Sequence, residues 1–344
     1  MGHQHLVAAI DVGYGFTKFR PGFTGATRTD KFPSIVVDAE KIHLSDTTLK
    51  SLQSNSVIVC VGDNAYRRVG PSAADELANA GGQRVLNESF SSSVDYLALL
   101  RGALTYMEVT RLSLLQLGLP ISTFYKAPAL KKWIEGEHTL VRPNGEHYIC
   151  NIKRVEIAPQ PLAAYVNYRK MDAANNQGKG AKNALVVDAG FYTLDWLVTK
   201  AGTISRERSG AENGGMNKVV SIIADGMEKE IGSKLPTAYM QVIEEALGAE
   251  TYTVMRFAKE YSFEKFLPKA RLAIEKHIQV MVNKVGTAVD IADIVVCGGG
   301  ARFFYPLLKA RYPDHNVICT ADSQFDIVNG LYGLAIHAAE EETA

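Results

Sequence analysis

Short apolar runs alternate along the chain with longer segments in which apolar residues recur at helical spacing. The apolar runs predict strands at residues 6–12, 16–19, 32–37, 56–61, 112–118, 148–157, 184–188, 194–199, 294–297 and 317–319. Strands that are interleaved with helices indicate an α/β fold in which helices cover the sheets.

Two helices are predicted from their start signals. Ser92, with Asp95 three residues further on, predicts a capped helix start, and the apolar residues that follow continue to Met107. Pro161 stands near the start of a second helix that runs to about Lys170, since proline is favoured in the first helical turn.

The most regular helical pattern lies between residues 268 and 285, where apolar residues recur at positions i, i+3 and i+4. His277 lies on this stripe. We expect it to pack in the core rather than to bind a metal, because no other ligand stands at metal-site spacing. The segment 171–182 is polar and rich in Gly and Asn, and it predicts a loop or a domain hinge.

Two segments that are about half a chain apart share one pattern. Residues 7–19 read VAAIDVGYGFTKF, and residues 184–198 read ALVVDAGFYTLDWLV. Each is an apolar strand that ends in Asp and is followed by a Gly, an aromatic residue and a second strand. A repeat of this length predicts two similar domains that face each other across a cleft.

The turn of the first segment combines residue types that bind phosphate. Gly13 and Gly15 allow a tight turn that brings backbone N–H groups within reach of an anion. Lys18 adds a positive point charge for phosphate oxygens. Asp11, at the end of its strand, fits better as an outer-shell partner of hydrated Mg²⁺.

The second segment supplies another carboxylate from Asp188, another glycine at Gly190 and the hydroxyl of Thr193. Either turn alone is also compatible with an ordinary glycine turn that has no ligand. Two such turns half a chain apart favour a clamp that holds a polyphosphate and one divalent ion from both sides.

Two further segments add candidate contacts. Three glycines at 298–300 stand between a strand and a helix, where a flat ligand can lie against bare backbone beside a helix N-terminus. They match neither GxGxxG nor GxxxxGK[ST]. Gln160 stands between two prolines that stiffen the turn, so it can orient a water molecule without ionising. Taken alone, this segment equally describes a solvated Gln at the start of a helix.

Taken in order, the motifs DVGYGFTK, APQPLAAY, VVDAGFYTLD, VVCGGGARFF and SQFDIVNGLYG resemble the actin/Hsp70/sugar-kinase ATPase superfamily over essentially the whole chain. The SQFDIVNGLYG tail, the PQP turn and SGAENGGMN resemble the ParM/StbA actin-like ATPases of bacterial plasmid segregation. The opening DVGYGFTK is similar to their branch called PRTRC system protein D.

This resemblance implies an actin-like ATPase fold, with two similar domains that each have a central mixed sheet flanked by helices and with the nucleotide in the interdomain cleft. The first domain is expected at residues 1–157, with the phosphate 1 loop and polymer-facing insertions. The second is expected at 158–344, with the phosphate 2 and adenosine motifs. The C-terminal helix, at about 323–340, is expected to return to the first domain.

The resemblance also implies ATP and Mg²⁺ as cofactors. The residues that it places against the nucleotide are Asp11, Gly13, Tyr14, Gly15, Lys18, Gly190, Phe191, Tyr192, Thr193, Glu212, Asn213, Gly298, Gly299 and Gly300. The three glycines would support the adenosine, and Glu212 and Asn213 would reach the ribose or the base. Gln160 and Asp188 are the implied catalytic residues. Gln160 would position the hydrolytic water, and Asp188, together with Asp11, would hold Mg²⁺ through water.

Two departures from the family pattern concern catalysis. Tyr14 stands where relatives often carry a small hydroxyl residue, and Phe191 and Tyr192 stand where many relatives carry small residues. Backbone donors remain at both turns, so the sequence supports nucleotide binding more firmly than efficient hydrolysis.

Composition and residue spacing argue against three features: a DNA-binding surface, a membrane span and a metal site formed by protein side chains alone. Lys and Arg number 37, as do Asp and Glu, so the formal charge is zero and a general DNA-binding surface is not indicated. No apolar run reaches the roughly 18 residues of a membrane span, and no signal peptide is evident, so we expect a cytoplasmic protein, and the resemblance implies a bacterial one. The four cysteines form no CxxC pair and the eight histidines show no ligand spacing, so no protein-only metal site is predicted.

The resemblance implies an ATPase that assembles head to tail into filaments and moves plasmid DNA through a separate DNA-binding adaptor protein. A small-metabolite or sugar kinase of the same superfamily is an alternative, although it would need a carboxylate base beside an acceptor hydroxyl. A nucleotide-dependent scaffold that does not polymerise is another.

Overall fold

The computed structural model describes residues 6–22, 29–39, 55–62, 65–73, 86–142, 144–176, 182–236 and 238–342. The chain divides into two compact units. The first unit comprises Met1–Leu119, Thr123–Ala158 and Leu331–Ala344, and the second comprises Pro120–Ser122 and Pro159–Gly330. Within the described ranges, no helix is long and apolar enough to cross a membrane.

The strands, in chain order, are β1 (Val7–Val12), β2 (Phe16–Gly22), β3 (Asp30–Pro33), β4 (Val36–Ala39), β5 (Val57–Gly62), β6 (Ala65–Val69), β7 (Arg111–Leu112), β8 (Leu114–Leu119), β9 (Gly136–Val141), β10 (His147–Ile152), β11 (Val155–Pro159), β12 (Ala184–Ala189), β13 (Leu194–Lys200), β14 (Thr203–Glu212), β15 (Thr253–Arg256), β16 (Lys259–Ser262), β17 (Asp293–Cys297) and β18 (Asn316–Cys319). The α-helices are α1 (Val94–Tyr106), α2 (Ala127–Ile134), α3 (Gln160–Asn176), α4 (Met216–Ile231), α5 (Ala238–Gly248), α6 (Leu267–Val285), α7 (Ala301–Arg311) and α8 (Asp326–Glu341).

The two units are built around sheets of the same topology. In the first unit the strand order is β11-β8-β1-β2-β3, and β1 is parallel to β8 and antiparallel to β2. In the second unit the order is β18-β17-β12-β13-β14, and β12 is parallel to β17 and antiparallel to β13. The predicted fold of two similar α/β halves with mixed sheets and flanking helices is therefore confirmed.

The central strands consist of buried residues along their whole length, as expected of strands that are covered on both faces. Helix α6 packs its apolar stripe into the core of the second unit, through residues that recur at spacings of three and four: Leu267, Ala270, Ile274, Ile278, Met281 and Val285. Helix α8 serves both units. Its Gly330 lies against the backbone of Ala163 in the second unit, and its Ala335 and Ala339 pack on Val7 in the first.

Three predicted strands were wrong in their extent, because the chain changes sheets within them. The run 112–118 divides at Ser113, whose amide bonds Leu6 O, and the run 148–157 divides where Lys153 N bonds Leu112 O. The run 32–37 divides after Pro33, where the Ser34 side chain turns back to Gly13. The spacing of apolar residues indicates which residues are buried, but it does not indicate which strand they pair with. It therefore cannot reveal where the chain leaves one sheet for another.

Two helix boundaries also differ from prediction. The cap of α1 is Ser93 rather than Ser92, since its hydroxyl accepts the Tyr96 amide at 3.2 Å while Ser92 belongs to a short 3₁₀ turn. The loop or hinge predicted at 171–182 was wrong for residues 171–176, which continue α3. Residues 177–181 of that segment lie outside the described residues.

Candidate functional site

The first glycine turn joins β1 and β2 above a buried ion pair. Asp11 and Lys18 are cross-strand partners, and Lys18 Nζ lies 3.0 Å from Asp11 Oδ2. Both side chains are buried, so water does not solvate either charge and each is compensated by the other. The charge that Lys18 was expected to offer to phosphate is therefore held by the same carboxylate that was expected to face Mg²⁺.

The carbonyl groups of this turn are tied to Ser34. The Ser34 hydroxyl donates to Gly13 O at 2.6 Å, and the Ser34 amide donates to Gly15 O at 2.9 Å. In a trans peptide the carbonyl and the following amide point in opposite directions, so the amides of Tyr14 and Phe16 point away from Ser34. Ser34 fixes the shape of the turn, and no motif in the sequence singled it out.

The Tyr14 side chain packs within the first unit. Its hydroxyl donates to Asn87 O at 2.9 Å, and its ring stacks on Phe90 with the centroids 4.8 Å apart. Tyr14 thus anchors the turn to the segment 87–90 that precedes α1. Its backbone amide remains the group that the turn can offer to a ligand.

The second glycine turn is tied to the start of α4 instead. The carbonyls of residues 190–192 accept hydrogen bonds from the amides of residues 215–217, at 2.8–3.2 Å. These bonds satisfy amides that a helix N-terminus leaves without a partner in the helix. Because the peptides are trans, the amides of Phe191, Tyr192 and Thr193 point away from α4. A row of amides with one direction is the usual construction of a backbone anion site.

Two buried carboxylates stand opposite each other below this turn. Asp188 and Asp195 are cross-strand partners on β12 and β13, at the positions that Asp11 and Lys18 occupy in the first unit. Asp195 Oδ1 accepts the Ile121 amide at 2.8 Å. Burial raises the pKa of Asp195 to about 6, against the lowering effect of hydrogen bonds from Thr193, Ile121 and Ser122. Asp195 was not among the predicted site residues, although its register with Asp188 could have indicated it.

The three glycines at 298–300 differ in what surrounds them. Gly298 has φ +89°, and a Cβ atom there would overlap Asp188 Oδ1 and lie 2.7 Å from Ala189 O. At Gly300 a Cβ atom would lie 2.5 Å from Met216 Cγ, whereas at Gly299 it would meet nothing within 4 Å. Two of the glycines are therefore required by packing around β12 and α4, and Gly299 has open space beside it.

Glu212 lies at the end of β14 and is held by a residue of α6. His277 Nδ1 lies 3.3 Å from Glu212 Oε1, and a Cβ atom at Gly214 would overlap the imidazole. The expectation of a packed core histidine was thus incomplete: His277 is only partly buried, and its ring contacts a residue that was predicted to reach the ribose or the base. Asn213, which follows Glu212, is exposed.

Gln160 is the first residue of α3 and is buried, so the alternative of a solvated Gln is wrong. The predicted residues of the first turn all belong to the first unit, and the remaining ones to the second. Within the second unit the structure brings together Asp188, Gly298 and the turn at 190–192, through the contacts of Ala189 and α4.

No group of three or more His, Cys, Asp or Glu among the described residues could hold a metal ion on its own. A nucleotide-bound Mg²⁺ does not need such a group, because it keeps several waters and takes one or two carboxylates in addition to phosphate oxygens. Asp188 fits that role because it lies near the end of β12, just before the turn at 190–192. Its Oδ1 lies beside Gly298, at a place that any larger side chain would cover.

Both halves of the chain match family models of actin-like proteins. Residues 9–162 match the N-terminal domain of actin-like proteins, and residues 186–310 match the C-terminal domain of the MreB-like archaeal actin homologue. Among curated proteins, none matches the chain.

Solved structures of the same fold cover almost the whole chain. A ParM from a 15-stranded filament of Clostridium botulinum is 20% identical, with 97% of this chain and 99% of that chain covered and a TM-score of 0.77. The archaeal actin homologue Ta0583 is also 20% identical, with 96% and 99% covered and a TM-score of 0.75. Its complex with ADP gives a TM-score of 0.73 with 20% identity, over 96% of this chain and 99% of that one.

Proposed function

We propose that this chain, whose two halves match models of actin-like proteins, is an actin-like ATPase that binds ATP with Mg²⁺ at its two glycine turns and assembles into filaments. The observation that carries the proposal is the matched construction of the turns. Each turn follows the central strand of its sheet, and its carbonyls are held by hydrogen bonds within its own unit. The backbone amides of each turn point away from the groups that hold its carbonyls. Amides arranged in this way suit phosphate oxygens.

The roles of the side chains follow from where they lie. Asp188 would hold the waters of a phosphate-bound Mg²⁺, while Asp11 keeps Lys18 in place below the first turn. Mg²⁺ would supply charge neutralisation on the phosphates. Buried Gln160 would orient the attacking water, and Gly299 and Glu212 would contact the nucleoside. The ADP complex of Ta0583 supports a nucleotide as the ligand.

Filament formation is supported by the ParM neighbours, one from a filament and one described as a non-polymerisable mutant, which is 20% identical with a TM-score of 0.75. We further propose that the filaments separate plasmid copies in the bacterial cytoplasm through a DNA-binding adaptor protein. The equal numbers of acidic and basic residues agree with an adaptor that makes the DNA contact.

The proposal is tested first at Asp188 and Gln160. We expect Asp188→Asn to remove Mg²⁺-dependent ATP binding, because the variant keeps the shape of the side chain but loses its charge. Gln160→Ala should slow phosphate release by about 10²-fold or more while ATP binding is retained, since positioned groups of this kind contribute about that much. Binding is measured by titration with ATP in the presence and absence of Mg²⁺.

Asp225→Asn, an exposed substitution on α4, is the matched control and should behave like the wild type. Full Mg²⁺-dependent activity in Asp188→Asn would overturn the metal role. Equal losses of binding and turnover in Gln160→Ala would show a structural role instead. Phosphoryl transfer to a panel of sugars, without sedimentation in ATP, would favour the kinase alternative.

A further inference from the structure

Ser34 does for the first glycine turn what the start of α4 does for the second. In the second turn the carbonyls of residues 190–192 accept three separate amides, from residues 215–217. In the first turn the carbonyls of Gly13 and Gly15 are both held by Ser34, whose hydroxyl and amide donate to them at 2.6 Å and 2.9 Å. A single residue thus takes the place of a helix N-terminus.

The bonds from Ser34 matter because a peptide group beside glycine rotates at low cost. Glycine has no Cβ atom, so both signs of φ are open to it. Rotation of the Gly13–Tyr14 peptide by half a turn would direct the carbonyl of Gly13 to where the amide of Tyr14 now points. That oxygen would repel a phosphate, whereas the amide attracts one. The same holds for the Gly15–Phe16 peptide.

Ser34 is itself held in place where β3 ends. Pro33 pairs with Phe16 across β2 and β3, and the amide of Ile35 donates to Pro33 O at 2.8 Å, which makes a three-residue turn centred on Ser34. Ser34 and Ile35 are both buried. A donor that is buried and fixed on both sides keeps the group that it bonds in one orientation before a ligand arrives.

A second hydroxyl orients that of Ser34. Thr17 Oγ1 lies 3.0 Å from Ser34 Oγ, and both residues are buried. A hydroxyl has one proton to donate, and Ser34 uses its proton for Gly13 O, which can only accept. Thr17 is therefore the donor to Ser34. The bonds run in one direction, from Thr17 through Ser34 to Gly13 O, and each strengthens the next.

We infer that Ser34, oriented by Thr17, is a positioning residue for the phosphates of the bound nucleotide. It acts through the backbone of the first turn, because its two bonds keep the amides of Tyr14 and Phe16 directed away from it. Its effect should therefore be confined to ligands that carry phosphates. This inference rests on the proposed nucleotide site.

The first test is Ser34→Ala, which removes the bond to Gly13 O and keeps the amide bond to Gly15 O. We expect the affinity for ATP and ADP with Mg²⁺ to fall about tenfold or more, as for loss of a hydrogen bond to a charged group. The affinity for adenosine should not change. Displacement of a fluorescent adenosine derivative measures all three ligands, because this probe lacks phosphates and its own binding does not depend on the turn.

Variants of Thr17 test the second hydroxyl. Thr17→Val keeps the shape of the side chain and removes the donor, so it should weaken ATP binding about threefold, as for one hydrogen bond between neutral groups. Thr17→Ser keeps the donor and should bind ATP like the wild type. Ser34→Ala combined with Thr17→Val should bind ATP no more weakly than Ser34→Ala alone, because the two residues act in one chain of bonds.

Ser209→Ala is the matched control. Ser209 is a buried serine of β14 whose hydroxyl donates to Ser205 O, also at 2.6 Å, and accepts the Val198 amide. Its thermal midpoint should fall at least as far as that of Ser34→Ala, while its affinities for ATP and adenosine should match the wild type. Weaker ATP binding that came from lower stability alone would appear in this variant as well.

The outcomes separate this role from the proposed function. A wild-type protein that binds neither ATP nor ADP would overturn the proposed function and this inference with it. A wild type that binds ATP, together with Ser34→Ala and Thr17→Val proteins of unchanged ATP affinity, would overturn the positioning role alone. Equal losses of ATP and adenosine affinity in Ser34→Ala would also overturn that role, since they would show a general structural effect.

Discussion

Replacing Asp195 with Asn removes a carboxyl group that is fully buried, but keeps an oxygen that can accept the Ile121 amide. Burial raises the pKa of Asp195 from an ordinary 3.8 to about 6. The folded protein therefore binds a proton at this position more tightly than the unfolded chain does. Stability falls as the pH rises from about 4 to about 6, and the penalty is complete above that range.

The size of the effect follows from the shift. About two pKa units, at about 1.4 kcal/mol each, give a penalty of about 3 kcal/mol at neutral pH. Asp195→Asn lacks this penalty, so we expect it to be more stable than the wild type at pH 7.5 by up to that amount. Near pH 4 the two proteins should differ little, because the wild-type carboxyl group is then protonated in the folded protein and about half protonated in the unfolded chain.

The assay is urea unfolding of both proteins in parallel at several pH values between 4 and 8. Asp326, whose pKa burial also raises to about 6, is present in both proteins, so its contribution cancels in the difference. A free-energy difference that does not change with pH, or that grows toward low pH, would show that Asp195 is not held in this way.

The remaining predictions concern the adenosine side of the proposed site. Gly298→Ala forces a side chain into a left-handed conformation and onto Asp188, so we expect a loss of about 2 kcal/mol or more in stability together with weaker Mg²⁺-dependent binding. Gly299→Ala meets open space and should keep its thermal midpoint. A midpoint equally lowered by both substitutions would contradict this difference. His277→Ala removes the partner of Glu212 and should weaken nucleotide binding about fivefold, as for one hydrogen bond, without changing the unfolding midpoint by more than a few degrees. Calorimetric titration with ADP measures the affinity of this variant, and an affinity equal to that of the wild type would exclude a contact between Glu212 and the nucleotide.

Much of the fold is readable from the sequence because its two central hairpins carry the same pattern. The apolar run, the Asp at its end and the glycine turn recur in β1–β2 and β12–β13 with the same register. These features are local, so periodicity and residue type report them. Where one apolar run serves two sheets, as around Ser113, the strand break depends on a distant partner and leaves no local signal.

The candidate site divides in the same manner. The glycines and Asp188 stand in recognisable motifs, whereas Ser34 and His277 contact the site from segments far along the chain. Serine and histidine are common residue types, and no recognisable motif surrounds either residue in the sequence. Only the packing of β3 and α6 beside the two hairpins shows what they contact.

The attachment of the second turn to α4 has a mechanical consequence. The carbonyls of residues 190–192 are bonded to one end of this 16-residue helix, and Ser233, just past its other end, is bonded to Arg256 beside the exposed Phe257. An α-helix of that length is a stiff rod of about 24 Å. We therefore expect a small shift of the turn to be carried along this rod towards Arg256, so that the end of β12 and the β15–β16 hairpin are displaced together.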